Sequence, residues 1–240
     1  MKQTITSQTC IETGRGHAIT VMELDANEVS DHPDAIQAVF EARRSGLVVR
    51  GALPPALVAA AVARLTSGAP DWSSPNQGMP GGELRVIGEA ATPTFTYLRG
   101  PSVDVYAAGA RAHAEQTSVV FDAQPTPAIA ALFSALFFNK PAAPPAFDGD
   151  TTWAPYSLRA LDPGVQIYPH HDNHYGLDVY ARMDSDLDRS TILSWVFCLQ
   201  AAEGGGDLIA YGLWGSDPNP PLLPSRFLDA HALETRWDKH

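Results

Sequence analysis

The sequence predicts a single α+β domain, with helices gathered in its first part and an antiparallel β core in its second. Three observations carry that expectation. Ala-rich segments of helical spacing, several opened by proline, recur between residues 30 and 138. After residue 150 the texture changes to short alternating or apolar runs set off by Gly and Pro turns. Apolar residues make up 45% of the 240 and charged residues only 18%, a composition that supports a packed core rather than disorder.

In chain order, the first 20 or so residues have no strong period and read as a loose lead-in. Ser30-Asp31-His32-Pro33 reads as a helix start, a capping residue followed by a first-turn proline. Ala35, Val39, Phe40 and Ala42 continue that helix until Gly46 stops it. Leu47 to Gly51 is a short strand with a glycine stop, and Pro54-Pro55 opens a second helix through about Leu65, closed by Ser67-Gly68. Residues 69–92, rich in Pro, Gly and Ser and carrying Trp72 and Met79, form a long loop, either a lid or a disordered connector. Val103 to Phe121 and Ala128 to Phe138 are helical, and Lys140 to Asp150, with three prolines, is a rigid linker.

In the second part, Tyr156 to Leu161 alternates, Asp162-Pro163-Gly164 turns, and Val165 to Tyr168 is a strand running into a histidine cluster. Thr191 to Leu199 is a largely apolar strand, Gly204-Gly205-Gly206 turns, and Asp207 to Tyr211 is a further strand. Pro218 to Pro224 is a loop. Trp153, Tyr156 and Trp195 read as core aromatics.

Charge and motifs narrow the function. Sixteen Lys and Arg against 27 Asp and Glu leave a formal charge of −11, which argues against a nucleic-acid partner. Cys10 and Cys198 are too far apart in sequence to suggest a disulfide framework or a cysteine-ligated zinc, and a reducing cytoplasm is the expected setting. The opening MKQTITSQTC has no apolar h-region, and no stretch approaches a membrane span, so no membrane partner is expected. Neither a P-loop nor a Gly-x-Ser-x-Gly elbow is present, and no Gly-x-Gly-x-x-Gly opens a helix after a strand.

The chemistry concentrates in Tyr168-Pro169-His170-His171-Asp172-Asn173-His174-Tyr175-Gly176. On a strand, a period of two places His170 and Asp172 on one face and His171 on the other. An imidazole and a carboxylate so spaced are two legs of the 2-His-1-carboxylate triad, which holds Fe(II) with open positions for a cosubstrate and O₂. The bland alternative is a set of solvated loop histidines beside Asp178, Asp184, Asp186 and Asp188. Arg159 falls by alternation on the side of Ser157 and Leu161, where it is a candidate for contacting a cosubstrate or substrate, or for a rim salt bridge.

The ordered set of His170-x-Asp172, a later apolar strand and a Gly205-Gly206-Asp207-Leu208 turn resembles the iron(II)- and 2-oxoglutarate-dependent oxygenases. The stretch from Met22 to Gly68, with Met22-Glu-Leu-Asp-Ala-Asn-Glu-Val29, Ala35-Ile36-Gln37, Leu47-Val-Val-Arg-Gly51 and the Pro54 helix, is similar to the carrier-independent halogenases of hapalindole-type alkaloid biosynthesis. That similarity runs, with gaps, from about residue 22 to the end.

The resemblance implies a double-stranded β-helix (jelly roll) core in residues 151–240, with the mainly helical residues 1–150 packed on it. It further implies Fe(II), 2-oxoglutarate and O₂ as cofactor and cosubstrates, His170 and Asp172 as metal ligands, Arg159 as a 2-oxoglutarate contact, and a freestanding small metabolite as substrate.

Two departures from the family's pattern matter. In the halogenase branch the position two after the first histidine is a small residue that leaves room for chloride; here it is Asp172, which points to hydroxylation or a related oxidation instead. The family's third histidine and its oxoglutarate-pairing arginine have no clear counterpart, since only His231 and His240 follow Gly206. With about five visible strands against the roughly eight of a closed jelly roll, the expectation is that the closing C-terminal strands are missing from this chain, unless His231 serves as the third ligand. The rival readings are a halogenase whose carboxylate swings aside, a jelly-roll binding module with an incomplete site, and a cupin-like metalloprotein using His170, His171 or His174 without 2-oxoglutarate.

Overall fold

The computed structural model describes residues 3–4, 20–68, 84–87, 103–122, 124–148, 151–165, 167, 193–203 and 209–210. A strand pair at Gln3–Thr4 (β1) and Ile209–Ala210 (β8) ties the lead-in to the late strand expected at Asp207 to Tyr211. The rest is organised around two apolar clusters.

The first cluster begins with β2 (Val21–Asp25), which pairs in parallel with β3 (Gly46–Arg50) over five residue pairs, from Val21 opposite Gly46 to Asp25 opposite Arg50. Met22 and Leu24 of β2 and Leu47 and Val49 of β3 share one face and pack together, as the two-residue period requires. The opposite face carries Glu23, whose carboxylate accepts from the Arg50 guanidinium at 3.0 Å.

Between the strands lie a single 3-10 turn at Val29–Asp31 and helix α1 (Ala35–Phe40), so the unit is a short strand–helix–strand crossover. This adds a parallel pair to the part of the chain read as mainly helical, with a strand directly after the lead-in read as loose. The capping reading is corrected. Ser30-Asp31 sits in the 3-10 turn, Asp34 is the residue before α1, and its side chain makes no capping bond. Gly46 begins β3 rather than ending the helix; the chain reverses at Ala42, in the left-handed region at φ 55°.

Helix α4 (Thr126–Leu136) closes this cluster. Ile129 and Leu136 are buried, and Leu132, Phe133 and Leu136 reach Leu24, Val29, Ala35 and Ile36 at the helical spacing of three and four. The Phe138 N–H donates to the Pro33 carbonyl at 2.7 Å, tying the end of α4 to the entry of α1.

The second cluster joins α2 (Pro55–Thr66), α3 (Val103–Phe121), β4 (Leu84–Ile87) and β7 (Leu158–Leu161) through Ala61, Val120, Phe121, Ile87 and Leu158. Both helices match their expected spans closely, and α2 ends at Ser67 and Gly68, the latter at φ 79°. The Arg64 guanidinium donates to the Val120 carbonyl at 2.9 Å and pairs with Asp122, fastening α2 to the end of α3.

Strand β4 lies within the stretch read as a loop. Leu84 to Ile87 pairs antiparallel with β7, from Leu84 opposite Leu161 to Ile87 opposite Leu158, and Ile87 is fully buried. Nor is Lys140 to Asp150 wholly a linker: β5 (Ala146–Asp148) pairs antiparallel with β6 (Thr151–Thr152).

After β7 the turn at Asp162–Gly164 is as expected, with the Val165 N–H donating to the Asp162 carbonyl at 3.0 Å and Gly164 at φ 85°. Val165 and Ile167, read as strand, lie outside any strand. Residues 193–199, expected to belong to a largely apolar strand, form no ladder among the described residues. They run with alternating exposure, Leu193, Trp195, Phe197 and Leu199 turned inward and Val196 74% exposed. Leu193 packs on the first cluster and Leu199 on the second, so this segment spans both. Thr191 and Ile192, read as the start of that strand, lie outside the described residues, as do the Gly204–Gly206 turn and the loop at Pro218–Pro224. Among the described residues no single helix is long and apolar enough to cross a membrane.

Candidate metal centre and a separate buried aromatic cluster

The predicted ligands sit just beyond a described strand and turn. β7 and the Asp162–Gly164 turn lead to Ile167, the last described residue before the histidine cluster. His170 and Asp172, with His171 and His174, lie outside the described residues, as do His231, His240 and Gly205 to Leu208. Among the described residues no group of three His, Cys, Asp or Glu converges on a common point.

Arg159 is described. It lies on β7 opposite Val86, on the exposed side with Leu161, while its neighbour Leu158 is buried in the second cluster. The alternation expected from sequence therefore holds. An ion pair between Arg85 and Asp162, at 3.1 Å, links β4 to the turn that follows β7.

Behind this strand pair the structure brings together residues that the sequence reading did not connect. α3 buries Ala110, His113, Thr117, Val120 and Phe121, a stripe at spacings of three and four. Two of the five are polar: His113 is 2% exposed and Thr117 1%. The Thr117 hydroxyl donates to the His113 carbonyl one turn back at 2.8 Å, a self-contained arrangement within the helix.

The His113 imidazole meets the Tyr156 ring edge-to-face, centroids 5.2 Å apart. Tyr156 in turn meets Trp195 at 6.1 Å, and Trp195 meets Phe133 of α4 at 5.9 Å and Phe197 at 5.0 Å. Edge-to-face contacts of this kind align the positive ring edge with a π face. The chain of rings connects α3, the segment before β7, residues 195–197 and α4. Trp153, buried at the start of the same segment, completes the reading of these aromatics as core.

Burial governs the titration of both polar rings. It pulls the His113 imidazole down to about 4, opposed by the nearby Tyr156 main chain, so the ring is neutral at pH 7. It also pushes the Tyr156 phenol up, against the influence of the neighbouring Thr117 and Thr126 hydroxyls. The signal for His113 was present in the sequence as the spacing 110, 113, 117, 120 and 121 on an Ala-rich helix. A single histidine in such a stripe carries no local motif of its own.

Comparison with known families then assigns the chain. Residues 18–226 match the family described as carrier-protein-independent halogenase WelO5. The chain belongs to the WelO5 family. A comparison with curated proteins returns no match. WelO5-type enzymes use Fe(II), 2-oxoglutarate and O₂ and act on freestanding small molecules rather than carrier-bound ones. The span matched to the WelO5 family contains Arg159, His170, Asp172 and the Gly205-Gly206-Asp207-Leu208 sequence, whereas His231 and His240 follow it.

The donor chemistry of this chain fits such a metal. An imidazole and a carboxylate, the side-chain types of His170 and Asp172, are two of the three donor types of a facial site for Fe(II).

Proposed function

We propose that this WelO5-family chain is an Fe(II)- and 2-oxoglutarate-dependent oxygenase that hydroxylates, or otherwise oxidises without halogenating, a freestanding small molecule. The observation that carries the reading is Asp172, two residues after His170 and inside the family-matched span. A carboxylate at that position fills the coordination site that a small residue leaves to halide in the halogenase branch.

In this reading His170 and Asp172 hold the metal through an imidazole nitrogen and a carboxylate oxygen. The chemistry supplied by bound Fe(II) is O₂ activation coupled to oxidative decarboxylation of 2-oxoglutarate. Arg159 is proposed to contact a carboxylate of 2-oxoglutarate, a planar fork meeting a planar anion. The ligand segment is proposed to belong to a jelly roll carrying the helices on one side, in a protein of the cytoplasm. The matched family itself favours a second reading, halogenation, in which Asp172 leaves the metal to admit chloride.

Anaerobic titration with Fe(II) and 2-oxoglutarate tests the ligand assignment, read by the visible charge-transfer band of the metal–oxoglutarate chelate. The band is expected with the unaltered chain, lost with His170→Ala, and kept but shifted with Asp172→Ala, whose small side chain leaves a coordination position open. A band unchanged in position and strength in both variants removes these residues as ligands.

A further inference from the structure

The path of the chain out of β7 is fixed twice. The backbone fixes it once: Pro163 presets its own φ, Gly164 sits at φ 85°, and the Val165 N–H donates to the Asp162 carbonyl at 3.0 Å, the pattern of a type II turn. A Pro-Gly turn of this kind closes without help from the side chain in its first position. The Asp162 carboxylate nonetheless reaches across to β4, where it accepts from the Arg85 guanidinium at 3.1 Å.

The register explains how it gets there. Arg85 stands opposite Ala160, and Leu84 opposite Leu161 ends the described ladder. By the two-residue period Asp162 falls on the face of Ala160, diagonal to Arg85, a separation that a long side chain spans. The ion pair therefore carries the contact between the strands one step past the last backbone pair, onto the turn itself. β4 is firmly seated for this purpose, since Ile87 on the same face as Arg85 is buried in the second cluster with Leu158.

The two side chains are 40% and 34% exposed, so the pair adds little to global stability. What it adds is direction. A turn held only by its own strand can swing about the strand end, whereas one tied to the neighbouring strand swings only by breaking the tie. The proposed metal ligands His170 and Asp172 follow this turn in sequence.

We propose that the Arg85–Asp162 ion pair is a positioning latch that sets the direction in which the chain leaves β7 toward His170 and Asp172. Its consequence at the metal rests on the oxygenase reading; the latch itself does not. Loosening it lowers the fraction of chains in the metal-binding arrangement, and apparent affinity falls by that fraction. Arg85 and Asp162 are thus positioning residues, acting through the segment that follows them.

Arg85→Met and Asp162→Asn remove the ion pair with little change of side-chain length, and Arg85→Lys keeps the charge. In the anaerobic Fe(II) titration with 2-oxoglutarate, the two uncharged variants are expected to raise the apparent Fe(II) dissociation constant by up to about fivefold, the range open to a half-exposed pair. Arg85→Lys is expected to restore most of the affinity, and the urea midpoints to stay close to that of the unaltered chain. A dissociation constant unchanged in both uncharged variants overturns the proposal, as does a Lys variant no better than Met. Amide exchange at Val165 separates the latch from the oxygenase reading: it is expected to be faster in Arg85→Met than in the unaltered chain, with or without iron. Equal exchange overturns the latch, whereas faster exchange in a chain that gives no charge-transfer band supports the latch and overturns the oxygenase reading alone.

Discussion

The two clusters are built from similar pieces, two helices and a strand pair each, yet they bury different things. The first, around Leu24, Val29, Ala35, Ile36 and Leu136, is wholly apolar and rests on a parallel ladder of five pairs. The second, around Ala61, Ile87, Val120, Phe121 and Leu158, rests on the antiparallel β4–β7 pair and has His113 and Thr117 on the same helical stripe. An apolar cluster draws its stability from area and fit and is indifferent to pH. A cluster with a buried imidazole gains a directional requirement and a pH dependence.

The largest expected effect is in the apolar cluster. Leu136, 1% exposed, is surrounded by side chains from β2, the 3-10 turn and α1. Leu136→Ala is expected to cost about 2–5 kcal/mol, a transfer loss plus a cavity, read from urea denaturation at pH 7. The same loss is expected at pH 5, since nothing titrates there.

The second cluster is expected to behave otherwise. The folded His113 holds a pKa of about 4 against 6.5 for an unperturbed imidazole. Above pH 6.5 neither state binds that proton and stability is unaffected. As the pH falls from 6.5 toward 4 the unfolded chain takes up a proton that the fold excludes, and stability drops. The full difference is on the order of 3 kcal/mol. Denaturation midpoints measured from pH 7.5 to 4.5 are expected to fall, and His113→Phe to flatten that part of the slope.

Smaller effects come from the polar fastenings. Arg64→Ala removes the donor to the Val120 carbonyl and the partner of Asp122, with an expected cost of about 1 kcal/mol in the same denaturation assay. Arg43, by contrast, pairs with Asp34 and Glu41 entirely in solvent. Arg43→Ala is expected to leave the midpoint unchanged.

The same contrast explains what could be read from sequence. α2 and α3 were legible because their signals are local: Pro54-Pro55 before the first, Ser67-Gly68 after it, and an unbroken Ala-rich run in the second. The turn at Asp162–Gly164 was legible for the same reason. β2 and β4 were not. Val21 to Asp25 becomes a strand by pairing with residues 25 positions away, and Leu84 to Ile87 by pairing across 71 to 77 positions, which no local pattern announces.

Residues 193–199 were read as a strand from their apolar run alone, but a run of apolar residues does not supply a pairing partner, and alternate residues turn outward, Val196 and Cys198 among them. At the candidate site the grouping of Arg159 with Leu161 on one side of its strand was legible, while His170-x-Asp172 lies outside the described residues. The meeting of His113 with Tyr156 and Trp195 was not legible, because it is assembled from three separate segments.

Halide access to the metal is the point on which the functional account rests, and a chloride titration of the anaerobic complex with Fe(II) and 2-oxoglutarate probes it directly. With Asp172 in place the charge-transfer band is expected to be insensitive to chloride, and with Asp172→Gly it is expected to shift as chloride is added. A chloride-dependent shift in the unaltered chain would contradict the account and return this protein to the halogenases of its family.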